Sequence, residues 1–222
     1  MRLAGTVPWE WMVDRLRRPR SWPMWDDLPE FVESVRLSYR RDVWVNQPEY
    51  VEVWCEKDAL SGIFEEVLEP YGVTLNVGRG FDGWSSIKDA SDRLGHSSTV
   101  LYFGDFDPSG EDISRSLQER LADPLLPEGG SRARFVRCAL NHDDVTRYAL
   151  PSDFTKAADP RRAAFVEKYG DVAVELDALP PDALRERIET EVSARMDPHA
   201  LEQTRRLQRE DQRRLEALLD QL

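Results

Sequence analysis

The sequence predicts an α/β domain: a mostly parallel, four-stranded sheet flanked by helices, with an aromatic-rich segment before it and a helical extension after it. Two observations carry that expectation. Four apolar runs alternate with three helix-period patterns between Tyr50 and Leu140, which is the signature of strands joined by crossover helices. Acids also stand just beyond two of those runs, at Glu56 and at Asp105 and Asp107, where open α/β sheets bind their ligands.

Residues 1–48 hold five of the seven tryptophans (Trp9, Trp11, Trp22, Trp25 and Trp44), together with Pro8, Pro19, Pro23, Pro29 and Pro48. That composition predicts a wrap of short helices and irregular chain, with one convincing helix carried by Phe31, Val35 and the run Leu37 to Trp44. Tryptophans left unpacked there would form a partner surface. Tyr50 to Cys55 reads as the first strand. Asp58 then caps a helix whose Leu60, Ile63, Phe64, Val67 and Leu68 share one face. Val73 to Val77 is the second strand, followed after a glycine turn by a helix from Ser85 to Leu94 with Ile87 and Ala90 inward. Thr99 to Gly104 is the third, and Glu111 to Leu121 the helix after it, with Ile113, Leu117 and Leu121 on one side. Arg134 to Leu140, behind a Pro/Gly-rich loop, is the fourth.

The remainder differs in kind. Asn141 to Arg161 is polar and irregular, Val172 to Leu176 reads as a short edge strand, and Pro180-Pro181 precedes a helix from Asp182 to Met196. Asp197-Pro198 is a good N-cap and first-turn pair for a last helix with Leu201, Leu207, Leu215, Leu218 and Leu222. Its charged middle, Arg205 to Arg214, is a solvated spacer or an oligomerisation arm, which makes a homodimer an expectation. The chain thus divides into residues 1–48, 49–181 and 182–222.

Composition narrows the class. Of 222 residues, 41% are hydrophobic and 32% charged, ordinary for a soluble domain. No apolar stretch approaches a membrane span and the N-terminus has no signal-peptide pattern, so no membrane role and a cytoplasmic location are expected. Cys55 and Cys138 lie in apolar runs and read as buried free thiols. A net charge of −12 argues against a protein that coats nucleic acid non-specifically. The arginines nonetheless cluster, at Arg15 to Arg20, Arg36 to Arg41, Arg132 to Arg137 and Arg205 to Arg214. Each cluster is either a phosphate-facing patch or a solvated face.

The sharpest motif is Asp105-Phe106-Asp107-Pro108-Ser109-Gly110, directly after the run Val100 to Phe103. Residues two apart in extended chain point to one side, so Asp105 and Asp107 converge on one cation, and magnesium takes such hard oxygen ligands. The competing reading is structural: Ser109-Gly110-Glu111-Asp112 fits a helix capping box. That accounts for Glu111 and leaves Asp112 divided, whereas Asp105 and Asp107 do not stand where a cap is expected. A rival motif, Gly78-Arg79-Gly80-Phe81-Asp82-Gly83, matches the dinucleotide fingerprint. It follows the second strand rather than the first, and Arg79 and Phe81 are awkward beside a pyrophosphate; a simple glycine turn explains it.

Trp54-Cys55-Glu56-Lys57-Asp58-Ala59 and Gly104-Asp105-Phe106-Asp107-Pro108-Ser109-Gly110-Glu111-Asp112-Ile113 together resemble the Toprim domain, a Rossmann-like fold. The likeness is to the branch found in the A subunit of topoisomerase VI and its meiotic double-strand-break relatives, and in uncharacterised phage and mobile-element proteins. Val174-Glu175-Leu176-Asp177-Ala178-Leu179-Pro180-Pro181 is similar to a segment after the metal site of that group. The resemblance spans Tyr50 to Leu184. It implies that Glu56, Asp105 and Asp107 gather magnesium, with manganese as an alternative and Asp112 as a fourth acid. It further implies that Glu56 handles a proton during phosphodiester chemistry on DNA, and Lys57 and Arg79 are candidates to hold phosphate. One departure matters: residues 1–49 are too few for the winged-helix domain that supplies the family's tyrosine, and Tyr39 and Tyr50 stand in the wrong context. Three expectations follow: a metal-dependent nuclease using water, a subunit served by a tyrosine-bearing or ATPase partner, or a non-catalytic module that binds DNA ends or assembles a complex.

Overall fold

The computed structural model describes residues 22–78, 83–95, 97–126 and 129–219. Four strands, β1 (Tyr50–Cys55), β2 (Thr74–Val77), β3 (Ser98–Phe103) and β4 (Arg134–Ala139), form one all-parallel sheet in the order β2-β1-β3-β4. The helices are α1 (Leu28–Ser38), α2 (Ser61–Leu68), α3 (Trp84–Arg93), α4 (Pro108–Leu121), α5 (His142–Arg147), α6 (Arg162–Tyr169), α7 (Pro181–Ser193) and α8 (Pro198–Leu219). Among the described residues no helix is long and apolar enough to cross a membrane.

The strands have two buried faces because side chains alternate along them. Val51, Val53 and Cys55 of β1 with Leu101 and Phe103 of β3 enter one core, shared with Phe64 and Leu68 of α2 and Leu184, Ile188 and Val192 of α7. Trp54, Val100 and Tyr102 point the other way, into a core with Ile87 and Ala90 of α3 and Leu117 and Leu121 of α4. Fully buried side chains such as Phe64, edge-on to Phe103 at 5.0 Å, contribute about 1.5–3 kcal/mol each. Both cysteines are free and buried, and burial pushes their thiols up out of the reactive range.

The strand order positions the ligand crevice. From β1 the chain goes outward to β2, and from β3 it goes the other way to β4, with α2 on one face and α4 on the opposite one. β1 and β3 are adjacent strands whose connections diverge, and a crevice opens beyond their carboxyl ends at such a switch point. Glu56 and Asp105 leave the sheet there.

Several elements differ from expectation. Asp58 is no helix cap: it begins a 3-10 turn, Asp58–Leu60, whose N-cap is Lys57, and α2 follows without a side-chain cap. α1 ends at Ser38, so Trp44 lies beyond the helix and instead enters the first core, its indole N–H donating to Gly72 O at 3.0 Å. Asn141 to Arg161 is less irregular than its polarity predicts. Asn141 and Asp144 form a capping box over α5, and Arg187 of α7 pairs with buried Asp144 at 2.8 Å. Residues 172–176 add no strand to the sheet but make isolated antiparallel bridges, Phe106 with Val174 and Asp153 with Ala173. α6 differs from the irregular chain expected around it, because its apolar residues, Ala163 to Val166, run together and give no helical period.

Residues Arg41–Arg209 form one compact unit. The smaller unit, drawn from Met1–Arg40 and Glu210–Leu222, contains α1 and the final turns of α8, joined by Tyr39 Oη donating to Asp211 at 2.7 Å and by Arg36 with Glu216 at 3.3 Å. Trp22 there is exposed, and Trp25 rests edge-on against Phe31; Trp9, Trp11 and the first arginine cluster lie outside the described residues.

Candidate active site at the strand ends

Glu56 follows β1 by one residue, and its backbone N–H extends the ladder to Phe103 O. Its Oε2 accepts from the hydroxyl of buried Tyr102 at 3.0 Å and from Asp105 N at 3.2 Å. Asp105 lies two residues past β3, and its Oδ1 accepts from Leu176 N at 2.7 Å. Asp107 is the N-cap of α4: its Oδ1 accepts from Gly110 N at 2.7 Å. That corrects the sequence reading, which started the helix at Glu111 and placed no cap at Asp107. Proline is favoured in the first turn and aspartate is among the best N-caps, so Asp107-Pro108 starts the helix earlier than Ser109 could.

Each of these three carboxylates therefore uses one oxygen to fasten itself. Among the described residues no hydrogen bond reaches the other oxygen, Glu56 Oε1, Asp105 Oδ2 or Asp107 Oδ2. Burial raises the Glu56 pKa, and the charges of Asp105 and Asp107 raise it further. Asp105 is likewise raised by burial and by its acidic neighbours, against the Leu176 N–H and the Lys57 charge. Three oriented hard-oxygen donors that repel one another fit a divalent cation such as magnesium in kind. Among the described residues, however, no group of three or more His, Cys, Asp or Glu side chains is arranged to hold a metal ion.

The other candidates are placed differently. Asp112, on the second turn of α4, accepts from Arg115 at Oδ1 at 2.6 Å and from Arg161 at Oδ2 at 3.0 Å, which holds its carboxyl below the usual range. Lys57 stands between Glu175 and Asp177, 2.6 Å from each. Burial pulls its pKa down, but those two acids more than offset this and leave it raised. Arg79 lies outside the described residues, as do its neighbours through Asp82 and with them the body of the glycine motif; Gly78 before them takes φ +89°.

Sequence reasoning missed what holds the loop. Phe106, between the two aspartates, exchanges both backbone hydrogen bonds with Val174 and sits among Phe165, Tyr169 and His142. Arg137, largely buried, donates to the carbonyls of Gly104, Asp105, Gly110 and Leu140 and lies over the Tyr102 ring. Two advance signals pointed at this segment: its alternation, with Val174 and Leu176 apolar and Glu175 and Asp177 not, and the resemblance noted for Val174 to Pro181.

No family model matches the chain, and no curated protein is detectably similar to it.

Burial of the site carboxylates, with their mutual repulsion added, has a measurable consequence. A carboxyl whose pKa is higher in the fold than in the unfolded chain binds its proton more tightly when folded. Its contribution is full below the ordinary carboxylate range and is lost as pH rises through the raised value. Glu56→Gln and Asp105→Asn are therefore expected to exceed the parent in thermal stability at about pH 7.5 without metal, and to lose that advantage near about pH 3. The midpoint should rise by about 2–4 °C for each kcal/mol of this penalty relieved. A parent that is the more stable at neutral pH would refute the penalty.

Proposed function

We propose that the protein is a Toprim-fold, magnesium-dependent enzyme that cleaves or transfers phosphodiester strands of DNA. The observation that carries this reading is the trio Glu56, Asp105 and Asp107 at the β1/β3 switch point, each fastened by one oxygen and open at the other. Of those open oxygens, Asp105 Oδ2 and Asp107 Oδ2 would hold the ion, and Glu56 Oε1 would join them only when it carries no proton. A bound magnesium supplies neutralisation of the charge on the transferring phosphoryl group. The chain's own residues do the rest. Glu56, with its raised pKa, is the group to carry a proton at Oε1, taking it from an attacking hydroxyl or giving it to a leaving oxygen. Tyr102 holds Glu56 from below, while Leu176 and Arg137 keep Asp105 and its loop in register.

A second reading, a non-catalytic or partner-dependent subunit that binds DNA ends or assembles a larger complex, draws support from one observation. The acids of the described residues are not gathered as a metal-holding group, as expected of a site completed by DNA or by a tyrosine-bearing or ATPase partner.

Incubation with supercoiled plasmid in magnesium or manganese separates the two. The expected result is nicked or linear product from the parent and none from Asp105→Asn or Asp107→Asn. Asparagine still accepts from Leu176 N at position 105 and still caps α4 at position 107, so loss of product is not loss of fold. A parent that leaves the plasmid intact would overturn the autonomous enzyme in favour of the second reading.

A further inference from the structure

Lys57, the residue after Glu56, is committed to two acids rather than open to a phosphate. It stands where β1 runs out, and its carbonyl accepts from the Cys55 thiol at 3.4 Å and from Leu60 N at 3.1 Å, so its backbone is fixed. Its ammonium lies 2.6 Å from Glu175 and 2.6 Å from Asp177, and its side chain is only 24% exposed. Those acids flank Leu176, whose N–H donates to Asp105 Oδ1 at 2.7 Å. Lys57 thus reaches from the end of β1 to both sides of the residue that fastens a carboxylate at the end of β3.

Two other ties hold the same strap, one on each side of Glu175. Phe106 fixes the chain at Val174 through backbone hydrogen bonds of 2.8 and 2.9 Å, and the Leu176 side chain is fully buried in the first core. Between them stands Glu175, whose side chain is 72% exposed and whose backbone sets the direction of the N–H that follows it. Glu175 is the N-cap of the 3-10 turn Leu176–Ala178 yet makes no side-chain cap; its carboxylate is turned to Lys57 instead. Exposed ion pairs are individually weak, but two on one ammonium act together on a single turn. The Lys57 charge also reaches Asp105, where it opposes the upward push of burial and of the neighbouring acids.

We infer that Lys57 is a positioning residue: by clasping Glu175 and Asp177 it aims the Leu176 N–H at Asp105 and so sets the Asp105 carboxylate of the candidate site, in place of the phosphate contact its position suggests. The inference rests on the phosphodiester reading for the chemistry it serves, but its first test does not. Amide hydrogen exchange of the protein in EDTA reports local opening residue by residue. Lys57→Met keeps the apolar stem and loses the charge, and should speed exchange at Leu176 about fivefold. The Val174 N–H, held by Phe106 O, should exchange as in the parent. Lys57→Arg, whose guanidinium fork also suits carboxylates, should keep the parent rate at Leu176. Glu175→Gln/Asp177→Asn should match Lys57→Met, and all three substitutions together should go no further, because the residues act as one unit. With plasmid and magnesium, Lys57→Met should lower kcat about tenfold at an unchanged half-saturating plasmid concentration, as lost positioning does. A lost phosphate contact would instead raise that concentration and flatten the log–log salt slope by about 0.9. Unchanged exchange at Leu176, an equal rise at Val174, or a raised half-saturating concentration at unchanged kcat would overturn the inference. Unchanged exchange in Lys57→Met with a parent that cuts the plasmid would do so while leaving the cleavage reading intact. Faster exchange at Leu176 alone, with a parent that leaves the plasmid whole, would do the reverse.

Discussion

Glu52→Ala should destabilise the protein by about 3–5 kcal/mol, the cost of taking one buried carboxylate acceptor away from several donors at once. For a chain of this size that lowers the melting midpoint by about 6–20 °C. Glu52 is fully buried in the middle of β1, and its carboxylate accepts from four side chains: Arg93 at 2.8 and 3.2 Å, Asn76 at 2.8 Å, Trp54 Nε1 at 3.0 Å and Tyr50 Oη at 3.3 Å. Alanine removes the shared acceptor of all four, and the desolvation of those donors is then poorly compensated. The network also pins the C-terminal end of α3 to β1 and β2, so its loss is expected to loosen the helix as well as the strand. Glu52→Gln preserves shape and one acceptor oxygen and should cost less. Thermal and urea unfolding of the two variants checks the ordering. A change below about 1 kcal/mol for alanine would mean the network adds little beyond an ordinary hydrogen bond.

The second large effect is expected at Gly110. A Cβ there would collide with the carbonyl oxygen of Asp105, a backbone atom already held by Arg137. Neither side can swing away as a flexible side chain would. Gly110→Ala must therefore shift the start of α4 away from the Asp105 loop, at about 1–3 kcal/mol or more. Because Gly110 N also donates to the Asp107 cap, the shift moves two of the three site carboxylates, and misplacement by about 1 Å is worth about a hundredfold in rate. Gly104→Ala should act on the third, since its Cβ would lie 2.6 Å from both Glu56 Oε2 and the Tyr102 hydroxyl. Ser109→Ala, one residue from Gly110, serves as the control and should retain plasmid cleavage. Equal activity in Gly110→Ala and Ser109→Ala would show that the site tolerates the displacement.

The sheet was legible because its signal is local. Val51, Val53 and Cys55 alternate with Glu52 and Trp54, and β1 forms over the span their pattern predicts. The acids of the site were legible for the same reason, each standing just past an apolar run. What joins them was not. Asp105 is fastened by Leu176, 71 residues on, and Lys57 by Glu175, 118 residues on. No periodicity records such pairings, and hydrophobic patterning is silent on them because the partners are a backbone N–H and surface carboxylates. Glu52 carries no local sign of its role either, because its partners Arg93 and Asn76 arrive from α3 and β2. At Asp107 the fault was in weighing two local signals: a serine-based capping box was preferred to an Asp-Pro start two residues earlier.

The bridge between Phe106 and Val174 also bears on when the protein acquires its site during synthesis. Parallel pairing joins segments far apart in sequence and so forms late relative to local helices. β1 and β3 can pair as soon as both have emerged, yet Asp105 has no Leu176 N–H to bind, and Phe106 no backbone partner, until about seventy further residues are made. A growing chain that stops short of Val174 therefore carries Asp105 and Phe106 on an unfastened loop. The Asp105 corner of the candidate site is completed only when the ribosome has delivered Val174 to Leu176.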